Sequence, residues 1–439
     1  MRRIRAVGRV LPFRVNNYVV NELIDWDNVP EDPIFQLTFP QPNMLSEGNL
    51  SRLLDMDHAG KSIAAVDREV SRIQREMNPH PARQMELNVP VMDGRRLEGL
   101  QHKYKETVLV FPRQGQTCHA FCTYCFRWAQ FCGIEKLHFA CNDPLVLPRY
   151  LKAHPEVTDV LFTGGDPMVM RAKVLRPYID ALRGLGTDHP LTIRFGTKAL
   201  AYWPYRFLTD RDAGELMELF EDIAALGHQP AIMAHFSHDR ELETPAVEQA
   251  MRRLQSAGAV IRCQGPLVRH VNDDAGTWAR MWRRQVRLGA IPYYMFVARN
   301  TGPKAYFRVP LAQTYRIFSE AYGQVSGLCR TVRGPSMSAT PGKIAVQGIA
   351  ELLSEKVFVL KFIQGRDPSW VNRVFFARYA PDAAWFDELE PALGDKKFFF
   401  ESGLDRITAE KAMDLVPPPR ALSGMNDRIG SGTLLRWVH

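Results

Sequence analysis

Three cysteines stand in one short stretch, Thr117-Cys118-His119-Ala120-Phe121-Cys122-Thr123-Tyr124-Cys125-Phe126-Arg127, at spacing C-x3-C-x2-C. They follow an apolar, strand-like run, Thr107-Val108-Leu109-Val110-Phe111. A tight loop of that spacing can bring three thiolates to three corners of an iron–sulfur cube. The fourth iron then has no protein ligand and is free to bind a small molecule. Zinc is the rival, because Cys132 lies seven residues on and can complete a four-cysteine tetrahedral site. Against zinc, the two-by-two pairing of C-x2-C knuckles is absent, and the signals further along the chain have no role in a zinc-stabilised binding module. A chance triplet of buried cysteines ranks below both.

The rest of the composition bounds the setting. Seven cysteines, an odd number with three in one loop, suit a metal site in a reducing cytosol better than a disulfide framework. With 439 residues and 46% hydrophobic content, the chain can build one large domain with attachments, or two to three domains. No run of about 18 apolar residues occurs, so no transmembrane helix is expected. The basic start, Met1-Arg2-Arg3-Ile4-Arg5, lacks the apolar segment of a secretory signal, and a cytoplasmic location is expected. A formal charge of +8 raises the question of nucleic acid. The doublets Arg252-Arg253 and Arg283-Arg284 are too short for a basic tract, so a basic site for anionic ligands is the simpler reading.

Something must hold the cysteine loop, and the chain supplies a pattern for it. Residues 1–102 read as a helical arm or cap. Ile63, Val66, Val70 and Ile73 keep helical spacing, and Pro79, Pro81 and Pro90 close the pattern. Residues 103–325 alternate strand and helix. Strand-like runs fall at 107–111, 157–162, 190–195, 230–236, 259–263 and 291–298, with amphipathic segments between them such as Leu216, Leu219, Ile223 and Leu226. Six such units predict a parallel sheet, as a partial barrel or an open sheet. Residues 326–439 change character. The stretch 326–343 is loop-like and ends Ser338-Ala339-Thr340-Pro341-Gly342-Lys343. Strands are expected near 357–363 and 374–379, followed by a polar tail with Pro417-Pro418-Pro419. This last part reads as a lid or oligomerisation segment.

In parallel α/β barrels the working groups gather at the carboxyl ends of the strands. The unusual residues fall there. The cysteine loop follows the first strand and Gly164-Gly165-Asp166-Pro167 the second; Arg194 and Gly196 close the third and His235 the fourth. Gln264 follows the fifth and Arg299 the sixth.

Taken with the cysteine loop, this pattern resembles the lysine 2,3-aminomutase family of radical S-adenosylmethionine (SAM) enzymes, over about residues 13–350. The resemblance implies an α/β fold: a partial six-unit (β/α) radical SAM barrel, with the N-terminal helical arm and a C-terminal α+β lid. It also implies a [4Fe–4S] cluster on Cys118, Cys122 and Cys125, with SAM on the open iron and pyridoxal 5′-phosphate (PLP) beside it. Gly164, Gly165 and Asp166 match the segment beside the SAM amino group, where glycines let backbone approach a cofactor. Arg194, His235 and Gln264 fall in matching segments near the cofactors. Arg127 matches the arginine that grips the substrate α-carboxylate, a role that suits a guanidinium fork. Lys343 matches the lysine that forms the PLP imine, and Lys103 stands where the family has an arginine for the PLP phosphate. The activity implied is migration of an amino group from C2 to C3, started by a 5′-deoxyadenosyl radical that takes hydrogen from the β-carbon. An external electron donor of flavodoxin or ferredoxin type, a small amino acid substrate and a homo-oligomer go with it.

The sequence departs from the family at telling places. Three of four glycines expected before Lys343 are replaced, and no cysteine follows Cys329, so the family's C-terminal zinc site has no counterpart. The family's two aspartates for the substrate ε-ammonium become Arg299 and Ser336. A like charge a few ångströms away in a water-poor pocket costs on the order of several kcal/mol, so this pair disfavours a lysine side chain and favours a carboxylate. Glutamate is the first candidate. A radical SAM enzyme acting on a protein lysine or on RNA is the alternative; a protein lysine fits Arg299 badly, and no RNA-binding appendage is recognisable.

Overall fold

The computed structural model describes residues 2–78, 84–132, 139–185 and 189–413. Pro79, Pro81 and the Pro417-Pro418-Pro419 tail lie outside them. A small hairpin, β1 (Val91–Met92) and β2 (Arg95–Arg96), stands apart from one sheet of eleven strands. These are β3 (Leu100–Tyr104), β4 (Thr107–Val110), β5 (Asp159–Phe162), β6 (Thr192–Thr197), β7 (Gln229–His235), β8 (Val260–Leu267), β9 (Ile291–Val297), β10 (Arg333–Ser338), β11 (Gly342–Leu352), β12 (Glu355–Gly365) and β13 (Val374–Arg378). They lie side by side in chain order. β4 to β10 run parallel, while β3 and β11 to β13 pair antiparallel at the two edges.

All six strand-like runs of the sequence are strands in this sheet. Helices fill the crossovers, and each buries an apolar stripe. In Ala213–Ala225 the stripe is Leu216, Leu219, Phe220 and Ile223, all without accessible surface. Local chemistry starts the helices: the Thr244 hydroxyl accepts from Val247 N, and the Asp274 carboxylate accepts from Thr277 N. In β6 the buried Ile193 and Phe195 alternate with Arg194 and Gly196, which puts Arg194 on the opposite face.

Two expectations need correction. The stretch 326–343 is not a loop throughout, because β10 continues the parallel run beside β9. Gly334 and Pro335 disguise it as a loop, and a break in the β9–β10 register between Arg333 and Ser336 lets a residue without an N–H sit inside the strand. Residues 1–102 are also more than helices, since β3 begins within them and pairs with β4. The sheet thus runs unbroken past residues 102 and 325. β10 to β13 carry a second apolar core of their own, rich in aromatic rings such as Phe362, Trp370, Phe375 and Phe400.

The N-terminal region grips the cysteine loop directly. Phe121 N donates to Arg14 O (2.8 Å) and Thr123 N to Leu37 O (2.9 Å). The buried Thr123 hydroxyl reaches Gln36 O at 2.8 Å, and Arg14 Nη1 donates to Cys118 O at 2.8 Å. A loop too short to have secondary structure of its own is thereby given fixed partners. Thr123→Val removes the hydroxyl but keeps the shape, and should lower the unfolding free energy of the iron-free protein by about 1–3 kcal/mol in a urea titration. An unchanged value would mean that this bond does not hold the arm to the loop.

Candidate active site

The cysteine loop is seated from the other side by the turn after β5. Gly165 N donates to Gly115 O (3.0 Å) and Asp166 N to Thr117 O (2.8 Å), so the turn runs against the chain entering the loop. A Cβ on Gly165 would collide with the Thr117 backbone, and one on Gly164 with Gln116 and the Gly115 carbonyl. The two glycines therefore have a structural task here, close approach of two backbones. The Asp166 carboxylate accepts from Met168 N (2.9 Å), Thr197 Oγ1 (2.7 Å) and Lys198 N (2.9 Å), tying the turn to the end of β6.

The three cysteines are close enough to act on one another. Burial, and then Asp166 and the other two thiols, push Cys118 well above its usual range. Burial and Cys122 push Cys125 up to about 12, against the pull of the Arg127 cation. Such crowding of buried thiols is the condition a bound cation relieves. Cys132 is engaged elsewhere, its thiol facing Trp128 O at 3.4 Å and Val10 O at 3.5 Å. Among the described residues no group of three His, Cys, Asp or Glu closes on a single-ion position. A cube differs in holding its thiolates apart, one per corner.

Beyond the loop the site is rich in positive charge. Arg127 lies over Phe111 (4.5 Å) and beside Phe126 (5.3 Å), and Arg299 lies over Phe126 at 4.7 Å. Desolvation pulls both guanidiniums down to about 10, and the charge of Arg299 adds to the effect on Arg127. With its amide turned oxygen-first, Gln84 accepts from the Arg299 fork, 2.9 Å from Nη2. Arg299 and Tyr124 line a cavity walled by Phe307 and Trp385.

Lys343 opens β11, paired across the hairpin with Ser338. Its ammonium nitrogen sits 4.1 Å from the centre of the Tyr294 ring. Burial, helped by Arg194, Arg333 and Arg299, lowers its pKa to about 7; Asp159 is the carboxylate that opposes the shift. Lys103 donates to Ala339 O at 2.5 Å, in the turn just before Lys343. Burial, with Arg366, Arg299 and Lys343, holds it well below the ordinary lysine range.

Other sequence candidates are placed differently. Arg194 is mid-strand, not at a strand end, and its fork is taken by Asp159 (Nε to Oδ1 2.6 Å). Gln264 also falls within its strand, β8, in register with His235 at the end of β7. His235 Nε2 lies 3.1 Å from the Tyr124 hydroxyl, and burial keeps the ring neutral. Ser336 has no accessible surface and its hydroxyl lies 3.5 Å from Met295 O, so it lines no open space. Nothing in the sequence pointed to Asp159 as partner of Arg194, or to Phe126 as a ring beside two arginines. An exposed aromatic beside Cys125 was the only available signal for the latter.

No family model matches the chain. A putative L-lysine 2,3-aminomutase of Aquifex aeolicus is 28% identical over 401 residues, 90% of this chain and 92% of its own length. The chain is lysine 2,3-aminomutase-like. The L-lysine 2,3-aminomutase of Bacillus subtilis is 26% identical over 73% of this chain and 64% of its own length. A radical SAM methyltransferase of Sphaerobacter thermophilus overlays with a TM-score of 0.32 at 14% identity, over 57% of this chain and 69% of that one.

The cofactors of the lysine 2,3-aminomutase-like family are a [4Fe–4S] cluster, SAM and PLP, and the residues present fit them. The crowded thiols of Cys118, Cys122 and Cys125 suit the cluster. The lowered amine of Lys343, with Lys103 close by, suits an aldehyde that carries a phosphate. At pH 7 an amine with a pKa near 7 is about half neutral, on the order of a thousandfold more than an ordinary lysine. Imine formation with added PLP, followed by visible absorbance, should therefore rise with pH through a midpoint near 7. Lys343→Ala should abolish the signal. Arg194→Gln removes a cation and frees Asp159, both of which raise the pKa of Lys343, so the midpoint should move up. A midpoint that stays in place would remove Arg194 from the account.

Proposed function

We propose that the chain is a PLP-dependent radical SAM aminomutase, an isomerase that moves an amino group from C2 to C3 of an α-amino acid with an acidic side chain, glutamate first. The observation that carries the substrate reading is Arg299, a desolvated guanidinium lining the cavity, with the Gln84 amide as its partner among the described residues, while Glu388 in the same lining is taken by Arg308. A buried cation without a counter-charge is costly, and a ligand carboxylate relieves that cost. Arg127 and Arg299 share the Phe126 ring, so a substrate with two carboxylates offers one to each guanidinium. A lysine substrate would instead bring an ammonium beside Arg299.

When bound, the cluster with SAM supplies the hydrogen-abstracting radical, and PLP supplies the delocalising group that carries the migrating nitrogen. The chain does the rest. Lys343 presents its amine over Tyr294, and Arg127 and Arg299 fix the two ends of the substrate. Within this reading, 1–102 supplies the arm, 103–325 the partial barrel and 326–439 the lid, with the one sheet continuing across both boundaries. The electron donor is external, of flavodoxin or ferredoxin type; the enzyme works in the cytoplasm and as a homo-oligomer. No helix among the described residues is long and apolar enough to cross a membrane.

The test is anaerobic incubation of reconstituted protein with SAM, PLP, reductant and a panel of amino acids, with β-amino products as the readout. Glutamate should exceed lysine. Arg299→Asp should lower kcat/KM for glutamate about a hundredfold or more and improve lysine. Unchanged selectivity would refute the acidic substrate. Protein that holds no sulfide and leaves SAM uncleaved would refute the whole reading.

A further inference from the structure

His119 is the one histidine of the cysteine loop, and its imidazole is 8% exposed. Among the described residues neither ring nitrogen has a hydrogen-bond partner. Leaving buried polar atoms unpaired is costly, and native proteins rarely do it without a reason that lies outside the chain itself. Three other features surround the ring. Trp203 covers one side at 5.4 Å between centroids. The carboxylate of Asp166 faces Nδ1 at 4.0 Å, too far for a hydrogen bond. Arg14 and Lys198 are cations near the ring, and Lys198 is paired with Glu241 at 2.8 Å.

A neutral imidazole offers one donor and one acceptor. A free ammonium–carboxylate pair offers the same two in reverse. The Asp166 carboxylate and the Arg14 cation near the ring complement such a zwitterion as well. We infer that His119 binds the amino acid end of SAM, through the ring nitrogens that the protein leaves unpaired between the cysteine loop and the Gly164-Gly165-Asp166-Pro167 turn. The inference rests on the reading of this site as a radical SAM centre and adds to it a named side chain.

Equilibrium dialysis of labelled SAM against anaerobically reconstituted protein tests it, with iron and sulfide content and PLP imine absorbance measured on the same samples. His119→Leu should weaken SAM binding roughly tenfold or more. His119→Asn, which keeps one donor and one acceptor, should recover part of the loss. Cluster content and the PLP signal should stay at the level of the unaltered protein. SAM binding that is unchanged in both variants overturns the inference, as does loss of the cluster from both, which would make His119 a support for the loop. Should the unaltered protein itself bind no SAM, the parent reading fails instead, and the two failures are told apart.

Discussion

The Asp166 carboxylate is the point on which the site depends. Its oxygens take donors from its own turn and from the end of β6, and its backbone N–H holds Thr117 at the entrance of the cysteine loop. One residue, through its side chain and its backbone, thus joins two strand ends to the loop that carries three thiols. Burial makes this junction strong, because a carboxylate with several good donors is well solvated by protein while an unsatisfied one is not. The N-terminal region completes the seat from the opposite side. The loop can then be short and irregular without being loose.

The second governing feature is an excess of buried cation. Arg127, Arg299, Lys103 and Lys343 are all desolvated, and the carboxylate nearest to Lys343 is already taken by Arg194. Structural ion pairs would balance such charges within the chain. In the proposed reading the balance comes from a phosphate and from carboxylates that arrive with ligands, which is how a site stores affinity for anions. Burial first, and then the neighbouring arginines, lower the Lys343 pKa towards 7.

Aromatic rings organise these charges in space. Phe126 sits between two guanidiniums, and Tyr294 lies under the Lys343 amine. A ring face attracts a cation without neutralising it, so the charge is positioned and still available to a ligand.

The cysteine spacing, the six strand runs and the carboxyl-end placement of His235 and Arg299 were legible in the sequence, because they depend on local periodicity and on short-range geometry. The loop-like look of 326–343 misled, since Gly334 and Pro335 carry turn propensity and only the neighbouring β9 makes a strand of them. Arg194 was legible as a residue near the site but not as the partner of Asp159, and Ser336 was legible as a substitution but not as a sealed one. What the chain determined by itself was which chemical groups are present and on which element each sits. Only the tertiary structure decided which charges are compensated, because compensation depends on contacts between residues far apart in the chain, and these have no sequence period.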